Sequence, residues 1–151
     1  MASSLKKAPL KVSIMETYSL NGRDHVVEHS VQYDDIMETA SRIVNCPSGD
    51  PGITNLYDFG ATRAEGQFEQ STTRYVRITN LETPGSDGLT ISVSVTGTTA
   101  TLTAMYPVKP GSSFIMTDLT NITGIDIING NTAAVDVEGF VATAYVAPPA
   151  S

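Results

Sequence analysis

The sequence lacks the features of secreted disulfide-bonded proteins and of membrane proteins. Its 151 residues include no tryptophan and a single cysteine, Cys46, so an intramolecular disulfide is excluded. Lys6 and Lys7 are not followed by an apolar segment of secretory length, and no apolar stretch approaches the ~20 residues that span a bilayer. We therefore expect a protein that is made in the cytoplasm, stays soluble and does not enter a membrane.

Basic residues are scarce in the second half of the chain. Residues 1–80 contain 8 basic and 10 acidic side chains, whereas residues 81–151 contain Lys109 and 6 acidic ones, so the net charge of −7 divides into −2 and −5. Such an acidic surface repels a phosphate backbone, and nucleic acid is not expected as a partner. Lys6 and Lys7 lie in a short basic terminus, which either docks on an acidic neighbour or forms a solvated tail.

Side chains that support catalysis are also scarce. His25 and His29 are the only histidines, and four residues along a strand would separate them by about 13 Å, too far to share a metal ion. Cys46, directly before Pro47, is better explained as a packed apolar residue than as a nucleophile. We predict no catalytic, metal-binding or cofactor-binding residue, and therefore a protein that is not an enzyme.

Carboxylates and amides occur in two small groups. Asp34 and Asp35 are adjacent, which on a strand directs them to opposite faces, so a turn or a helix N-terminus explains them better than a catalytic pair. The second group could offer oxygen ligands to calcium, but its spacing does not match an EF-hand, and turn-forming roles are favoured. Its members are Asp118, Asn121, Asp126, Asn129 and Asn131.

What the sequence has in abundance is short runs of β-branched and aromatic residues that alternate with polar ones. Four of these runs are separated only by turn residues, which predicts strands of one antiparallel sheet. They cover residues 74–80, 88–95, 99–105 and 110–116. This sheet is the expected core of the fold.

Further strands are predicted on both sides of this block. Asn21-Gly22 is typical of a type I′ hairpin turn between two strands, and Asn129-Gly130-Asn131 suggests a second hairpin. Gly139 lies in the middle of a long last strand and suggests a bulge or bend that lets this strand serve two sheets. These patterns are typical of an all-β fold.

Two segments are harder to assign. Asp35 and Glu38 resemble a capping box, so we predict a short helix or turn near residues 34–38 and a strand near 40–46, ending at Pro47. Residues 60–73 are polar and predict the longest loop, which is a candidate contact surface.

The whole pattern predicts an all-β protein. We expect an antiparallel β-sandwich of about nine or ten strands, of jelly-roll or Ig-like type, over residues 10–146. Residues 1–9 would form a flexible N-terminal arm and residues 147–151 an extended C-terminal tail.

Two segments resemble a pattern in small β-sandwich virion proteins of tailed bacteriophages. These are residues 74–81, Arg-Tyr-Val-Arg-Ile-Thr-Asn-Leu, and residues 108–115, Val-Lys-Pro-Gly-Ser-Ser-Phe-Ile. Proteins of this kind decorate or cement capsids, or serve as neck, tail, baseplate or fibre-base modules. The resemblance extends over residues 74–146, and it identifies no residue with a functional role.

The resemblance implies a non-enzymatic structural protein of the virion, most simply a capsid decoration or cement protein. It would contact the major capsid protein or other virion proteins and form a homo-oligomer, without cofactors. Candidate interface residues are Leu5, Lys6, Lys7, Leu10, Arg63 and Phe68. The alternative from another class is a module that binds a host glycan or receptor, although exposed tryptophan platforms are absent.

Overall fold

Every regular element of the described chain is a β-strand. The computed structural model describes residues 6–49, 52–83, 88–97 and 99–144, and within these ranges no helix occurs, so none could cross a bilayer. The strands are β1 (Ala8–Leu20), β2 (Arg23–Cys46), β3 (Ile53–Gly60), β4 (Gln67–Glu69), β5 (Thr73–Asn80), β6 (Leu89–Thr96), β7 (Thr101–Val108), β8 (Ser113–Met116), β9 (Ile122–Ile128) and β10 (Val135–Ala144).

Two five-stranded sheets pack together as a sandwich. Sheet 1 has the order β1-β2-β10-β5-β8, and sheet 2 has the order β4-β3-β9-β6-β7. The strand pairs are antiparallel except β3 with β4, which run parallel. The predicted all-β sandwich of nine or ten strands is confirmed.

The four central strands do not form one sheet, and that part of the prediction is wrong. β5 pairs with β8 and β10 in sheet 1, whereas β6 pairs with β7 and β9 in sheet 2. The chain therefore leaves sheet 1 after β5 and returns to it at β8. Alternation along a strand indicates which residues face inward but does not name the neighbouring strand.

The main core fills the space between the sheets with aliphatic side chains. Each fully buried Val, Ile or Leu contributes about 1.5–3 kcal/mol relative to exposure, so this layer is the main source of stability. Sheet 1 provides Val76, Ile78, Val137 and Val141, and sheet 2 provides Leu56, Ile91, Val93, Ile125 and Ile127.

The segment between β9 and β10 connects the two sheets and is not a hairpin. Asn129 is fully buried there, and its side-chain amide donates to the carbonyl oxygens of Cys46 at 2.9 Å and Ala133 at 3.0 Å. Its own Oδ1 accepts the amide of Asn131 at 3.0 Å. Asn129 thus fixes this crossover, because its side chain bonds backbone groups that have no partner on a neighbouring strand.

Gly139 does not bend β10 into a second sheet. β10 pairs only with β2 and β5, both in sheet 1, and its register is regular around residue 139. The glycine instead makes room for the ring of Tyr57 from sheet 2, whose Cε2 and Cζ would lie 2.9 Å from a Cβ at this position. The close approach explains the missing side chain.

Residues 34–46 form no helix. β2 runs through this segment without a break and ends at Cys46, before Pro47, as predicted. Asp35 has a φ of 62° and lies in a β-bulge, because Pro9 of β1 faces two residues of β2. The predicted 60–73 loop is also interrupted, since β4 pairs with β3 inside it.

Candidate functional site: an exposed hairpin arm

The first half of β2 and most of β1 form a two-stranded ribbon that no other described strand joins. β10 pairs with β2 only from Ile36 onward, whereas β1 pairs with β2 from Ile36 out to the turn. From Ser13 to Gln32 every residue is exposed. At about 3.4 Å per residue, the ribbon from Leu10 to the turn extends about 35 Å. We call residues 8–36 the arm.

One face of the arm is apolar. Directly opposed residues share a face, and on this face Leu, Ile, Val and Tyr side chains occupy eight of the twelve positions. The other four positions are held by Glu16, Arg23 and the two histidines. The opposed pairs are Leu10–Tyr33, Val12–Val31, Ile14–His29, Glu16–Val27, Tyr18–His25 and Leu20–Arg23.

The opposite face of the arm is mostly polar. Ser13 and Ser30 are opposed there and their hydroxyl oxygens are 2.8 Å apart, and Gln32 donates to Asp34 at 2.8 Å. Met15 and Val26 are its large apolar residues. The arm therefore has one apolar and one polar face, like a strand pair that covers a core, although from Ser13 to Gln32 no described part of the chain covers its apolar face.

At its base, the apolar face continues onto the outer surface of sheet 1. Leu10, Val12 and Tyr33 are partly buried against a second cluster formed by Ile36, Tyr75 and Ala142. Tyr33 and Tyr75 meet with ring centroids 5.9 Å apart. A cleft of about 130 Å³ extends this surface, and its lining includes Ile14, Val31 and Ile115. The base is thus anchored on the body, whereas the outer two-thirds of the arm does not pack on this cluster.

The tip of the arm has the predicted turn. Asn21 and Gly22 have φ values of 53° and 71°, as a type I′ turn requires, so the prediction of a hairpin at Asn21-Gly22 is confirmed. Next to it, the rings of Tyr18 and His25 stack with centroids 4.9 Å apart. Leu20 is 59% exposed at the end of β1. The tip thus combines a tight turn with a stacked Tyr–His pair and an exposed leucine.

A second concave surface lies on the flank where β2 and β3 meet. Arg63 reaches across it and forms two contacts with Glu38, at 2.5 and 2.9 Å. Arg42 lies 4.9 Å above the ring of Tyr57, while burial raises the pKa of Tyr57. Both arginines thus have partners within the groove, which has a volume of about 630 Å³ and is open to solvent.

The predicted interface residues do not form one surface. Leu5 lies outside the described residues, and Lys6 precedes β1, as does Lys7, which forms an ion pair with Asp35 at 3.4 Å. The remaining three already have partners within the chain: Leu10 in the second cluster, Arg63 on Glu38, and Phe68 against the main core. Their contact with another protein stays a prediction.

The sequence predicted the hairpin but not its role as an arm. Residues 10–33 alternate just as half-buried strands do, and alternation cannot tell whether a second layer covers the apolar face. A signal was present in length, because the two strands of this hairpin are longer than the mode of about 5–6 residues. The predicted tail, residues 147–151, lies outside the described residues.

The polar residues considered as ligands have structural roles in the described chain. Asp118 accepts from the amide and hydroxyl of Thr120 at 2.9 and 2.6 Å, which lowers the pKa of Asp118, and Asp126 accepts from Asn55 at 3.0 Å. Within residues 6–49, 52–83, 88–97 and 99–144, no group of three His, Cys, Asp or Glu side chains is arranged to hold a metal ion. A protein without catalytic residues, metal or cofactor stays a prediction.

Cys46 has the environment predicted for it. The side chain is fully buried in the main core, and burial raises the pKa of its thiol. A protonated, enclosed thiol is a poor nucleophile, so its role is packing.

Comparison with known proteins identifies no family for this chain. No protein-family model matches the chain, and no curated protein matches it. Among solved structures, one from the work "Bacillus endospore appendages form a novel family of disulfide-linked pili" is 10% identical with a TM-score of 0.47, over 97% of each chain.

Proposed function

We propose that this chain is a non-enzymatic structural subunit of a tailed-phage virion, most simply a capsid decoration or cement protein, and that it is held in the particle by its arm. The observation on which this rests is the exposed apolar face of the arm, with Ile14, Tyr18, Leu20 and Val27 each about half exposed or more. The attribution to a phage comes from the resemblance of residues 74–81 and 108–115 to virion proteins.

An isolated ribbon of this kind needs a partner. Two strands without a third strand or a covering layer are marginally stable in water, because they bury little apolar area. Here twenty consecutive residues from Ser13 to Gln32 are exposed. Covering the apolar face would stabilise the ribbon at about 25 cal/mol per Å² of apolar area removed from water. A binding partner would supply the covering layer that the described part of the chain does not.

The base of the arm holds the ribbon in a defined direction relative to the body. The bulge at Asp35 increases the local twist, and Pro9 lies opposite it in β1. Leu10 and Tyr33 then fix the ribbon on Tyr75. A subunit whose arm leaves the body at a fixed angle can make the same contact at every equivalent position of a symmetric shell, where repeated weak contacts add up.

An arm-shortened variant tests the proposal. Deleting residues 13–20 and 23–30 joins Val12 through Asn21-Gly22 to Val31, which keeps the turn and, with eight residues lost from each strand, the register and faces. None of the deleted residues belongs to either buried cluster, so the body should unfold at a temperature within a few degrees of the intact protein.

The measurement is the number of copies per purified particle, for the intact and the shortened chain. We expect the intact protein at a fixed stoichiometry on the capsid surface in electron micrographs, and the shortened protein at less than about one-tenth of it, since avidity multiplies the loss at each site. Full incorporation of the shortened chain would refute the role of the arm. Binding of the isolated protein to host glycans, with none on particles, would favour the receptor-binding alternative.

A further inference from the structure

We infer that residues 1–7 of this chain dock on an unpaired edge of β2, where they extend β1 by one further stretch of strand. Over residues 38–46, β2 pairs with β10 on one side and with no strand of the described chain on the other, because β1 begins opposite Ile36. We call residues 38–46 the open edge. It is a different surface from the apolar face of the arm, and the inference does not rest on the proposed function.

The open edge differs from the other edges of the two sheets. β4 and β8 are three and four residues long, and β1 and β7 contain Pro9 and Pro107, which donate no hydrogen bond to a neighbouring strand. Short strands and prolines are common means by which an edge avoids pairing with another strand. Residues 38–46 have neither, so their outward backbone groups are suited to one further strand.

The open edge borders the groove between β2 and β3. Glu38, Ala40 and Arg42 line the groove from this side, and its lining also includes Ala64 and Phe68. The volume of about 630 Å³ is in the range of sites that hold a ligand, about 300–1,000 Å³. A strand added to the edge would direct every second side chain into this space.

Residues 1–7 have the direction and the length that the edge requires. Ala8 is opposite Ile36 in an antiparallel pair, so a continuation of β1 toward residue 1 runs along the open edge without a turn. Lys7 lies beside β2 at this point, where it forms an ion pair with Asp35 at 3.4 Å. Residues 1–5 lie outside the described residues. Seven residues extend about 24 Å, at about 3.4 Å per residue, and cover seven residues of the edge.

The register follows from a bulge in β2. Two consecutive residues of β10 are opposite Glu38 and Ile36, so Met37 is an extra residue in β2. Because Ala8 shares a face with Ile36, the preceding residue, Lys7, belongs on the other face and lies opposite Glu38. Opposite charges at directly opposed positions stabilise a strand pair.

This register turns the larger apolar side chains of residues 1–7 inward. Leu5 faces the groove opposite Ala40, and Met1 lies opposite Val44, which is partly buried against the main core. The small and charged residues between them alternate to the outer face. A strand of this pattern suits an edge with one buried side.

Charge and proline content favour this occupant over the other end of the chain. The groove is lined by three acidic and two basic side chains, a net charge of −1, whereas residues 1–7 contain Lys6 and Lys7 and no acidic residue. Residues 145–151 have no charged side chain and contain Pro148 and Pro149, which cannot complete a ladder of hydrogen bonds.

Disulfide formation in the full chain tests the inference. Ser4→Cys with Ser41→Cys places two thiols at directly opposed positions, with β-carbons about 4.5–5.5 Å apart, whereas Ser3→Cys with Ser41→Cys places them on opposite faces. Cys46 is fully buried and does not compete. Added oxidised glutathione takes up the two electrons and two protons that are released as the thiols join.

We expect the Ser4 pair to close within one molecule at least about fivefold faster than the Ser3 pair, at a rate that is the same from about 1 to 50 µM protein. Covalent dimers of the Ser4 pair, formed faster at higher concentration, would mean that the segment docks on a second copy and would overturn the inference. Equal rates for the two pairs would leave the edge to another protein and would also overturn it.

Limited proteolysis tests the docking without introduced thiols. A segment paired along an edge is cleaved only when it opens, so the rate of trypsin cleavage after Lys7 reports the undocked fraction. Leu5→Asn removes the apolar side chain that faces the groove and should speed this cleavage by at least about threefold. Ser4→Asn, on the outer face, is the matched control and should leave the rate nearly unchanged. Equal effects of the two variants would contradict the docking of Leu5 in the groove.

Discussion

The ring of Tyr57 in sheet 2 lies against the α-carbon of Gly139 in sheet 1, with ring atoms 2.9 Å from where a β-carbon at residue 139 would stand. Replacing Gly139 by Ala should therefore destabilise the fold by about 2–3 kcal/mol, because the core must shift to accept one methyl group. Gly130→Ala is the control, since nothing lies within 4 Å of its added carbon. Chemical denaturation measures both, and equal midpoints would contradict the close approach.

The hydroxyl group of Tyr57 predicts a second change in stability. It is buried without a hydrogen-bond partner among the described residues, which is unfavourable for a polar group. Tyr57→Phe should therefore leave the free energy of unfolding unchanged or raise it by up to about 1 kcal/mol. Tyr33→Phe, on a partly exposed ring at the base of the arm, is the comparison. A loss of more than about 1 kcal/mol would mean that the hydroxyl makes a bond essential to the core.

Asn129 should be the most sensitive amide side chain among those with described bonds. Asn129→Ala removes the donors to the carbonyl oxygens of Cys46 and Ala133, and we expect a loss of about 2–4 kcal/mol. Asn45→Ala removes one exposed bond to Asp136 and should cost less than about 0.5 kcal/mol. Urea titration of both variants measures the contrast. Similar losses would refute the role of Asn129 in the crossover.

Alkaline pH should destabilise the protein through three buried acids. Burial raises the pKa of Cys46, Tyr57 and Tyr75, although nearby arginines oppose this for both tyrosines. A group whose folded pKa is raised contributes stability below its unfolded pKa, and that contribution is lost as the pH rises through the folded value. The free energy of unfolding should thus be constant near neutral pH for these groups and fall above about pH 9. Cys46→Ala should shift the onset upward.

The same burial predicts slow thiol chemistry. Cys46 should react with an aromatic disulfide reagent at pH 8 at least about a hundredfold more slowly in the native protein than in urea. The reaction is followed by absorbance, with free cysteine as the reference. Rapid native labelling would show that the core around Cys46 opens readily.

Local patterns predicted the strands well and their partners poorly. Asn21-Gly22 specified its hairpin because both residues accept positive φ, and Pro47 ended β2 because it cannot continue the ladder. In contrast, β5 and β6 follow one another in sequence but lie in different sheets, which depends on contacts that no local pattern contains.

The errors at two single residues have physical reasons. Asp35 followed by Glu38 has the spacing of a capping box, but aspartate also tolerates the positive φ of a bulge, and the pairing of β2 on both sides favoured the bulge. Gly139 suggested a bulge or bend in the strand. A glycine is equally required where a neighbouring ring approaches the backbone, and the sequence does not distinguish these two cases. The exposed arm was not predicted, because the arrangement of the whole fold decides whether a second layer covers a pair of strands.

Hydrogen exchange of the arm, measured in isolated protein and in assembled particles, tests the central claim most directly. Amides from Ser13 to Gln32 belong to a two-stranded ribbon and should exchange rapidly in dilute protein, much faster than those of β10 in the middle of sheet 1. We predict that assembly slows exchange in the arm by at least about tenfold while β10 is unchanged. Unchanged exchange in the arm, with protein bound to the particle, would contradict the account.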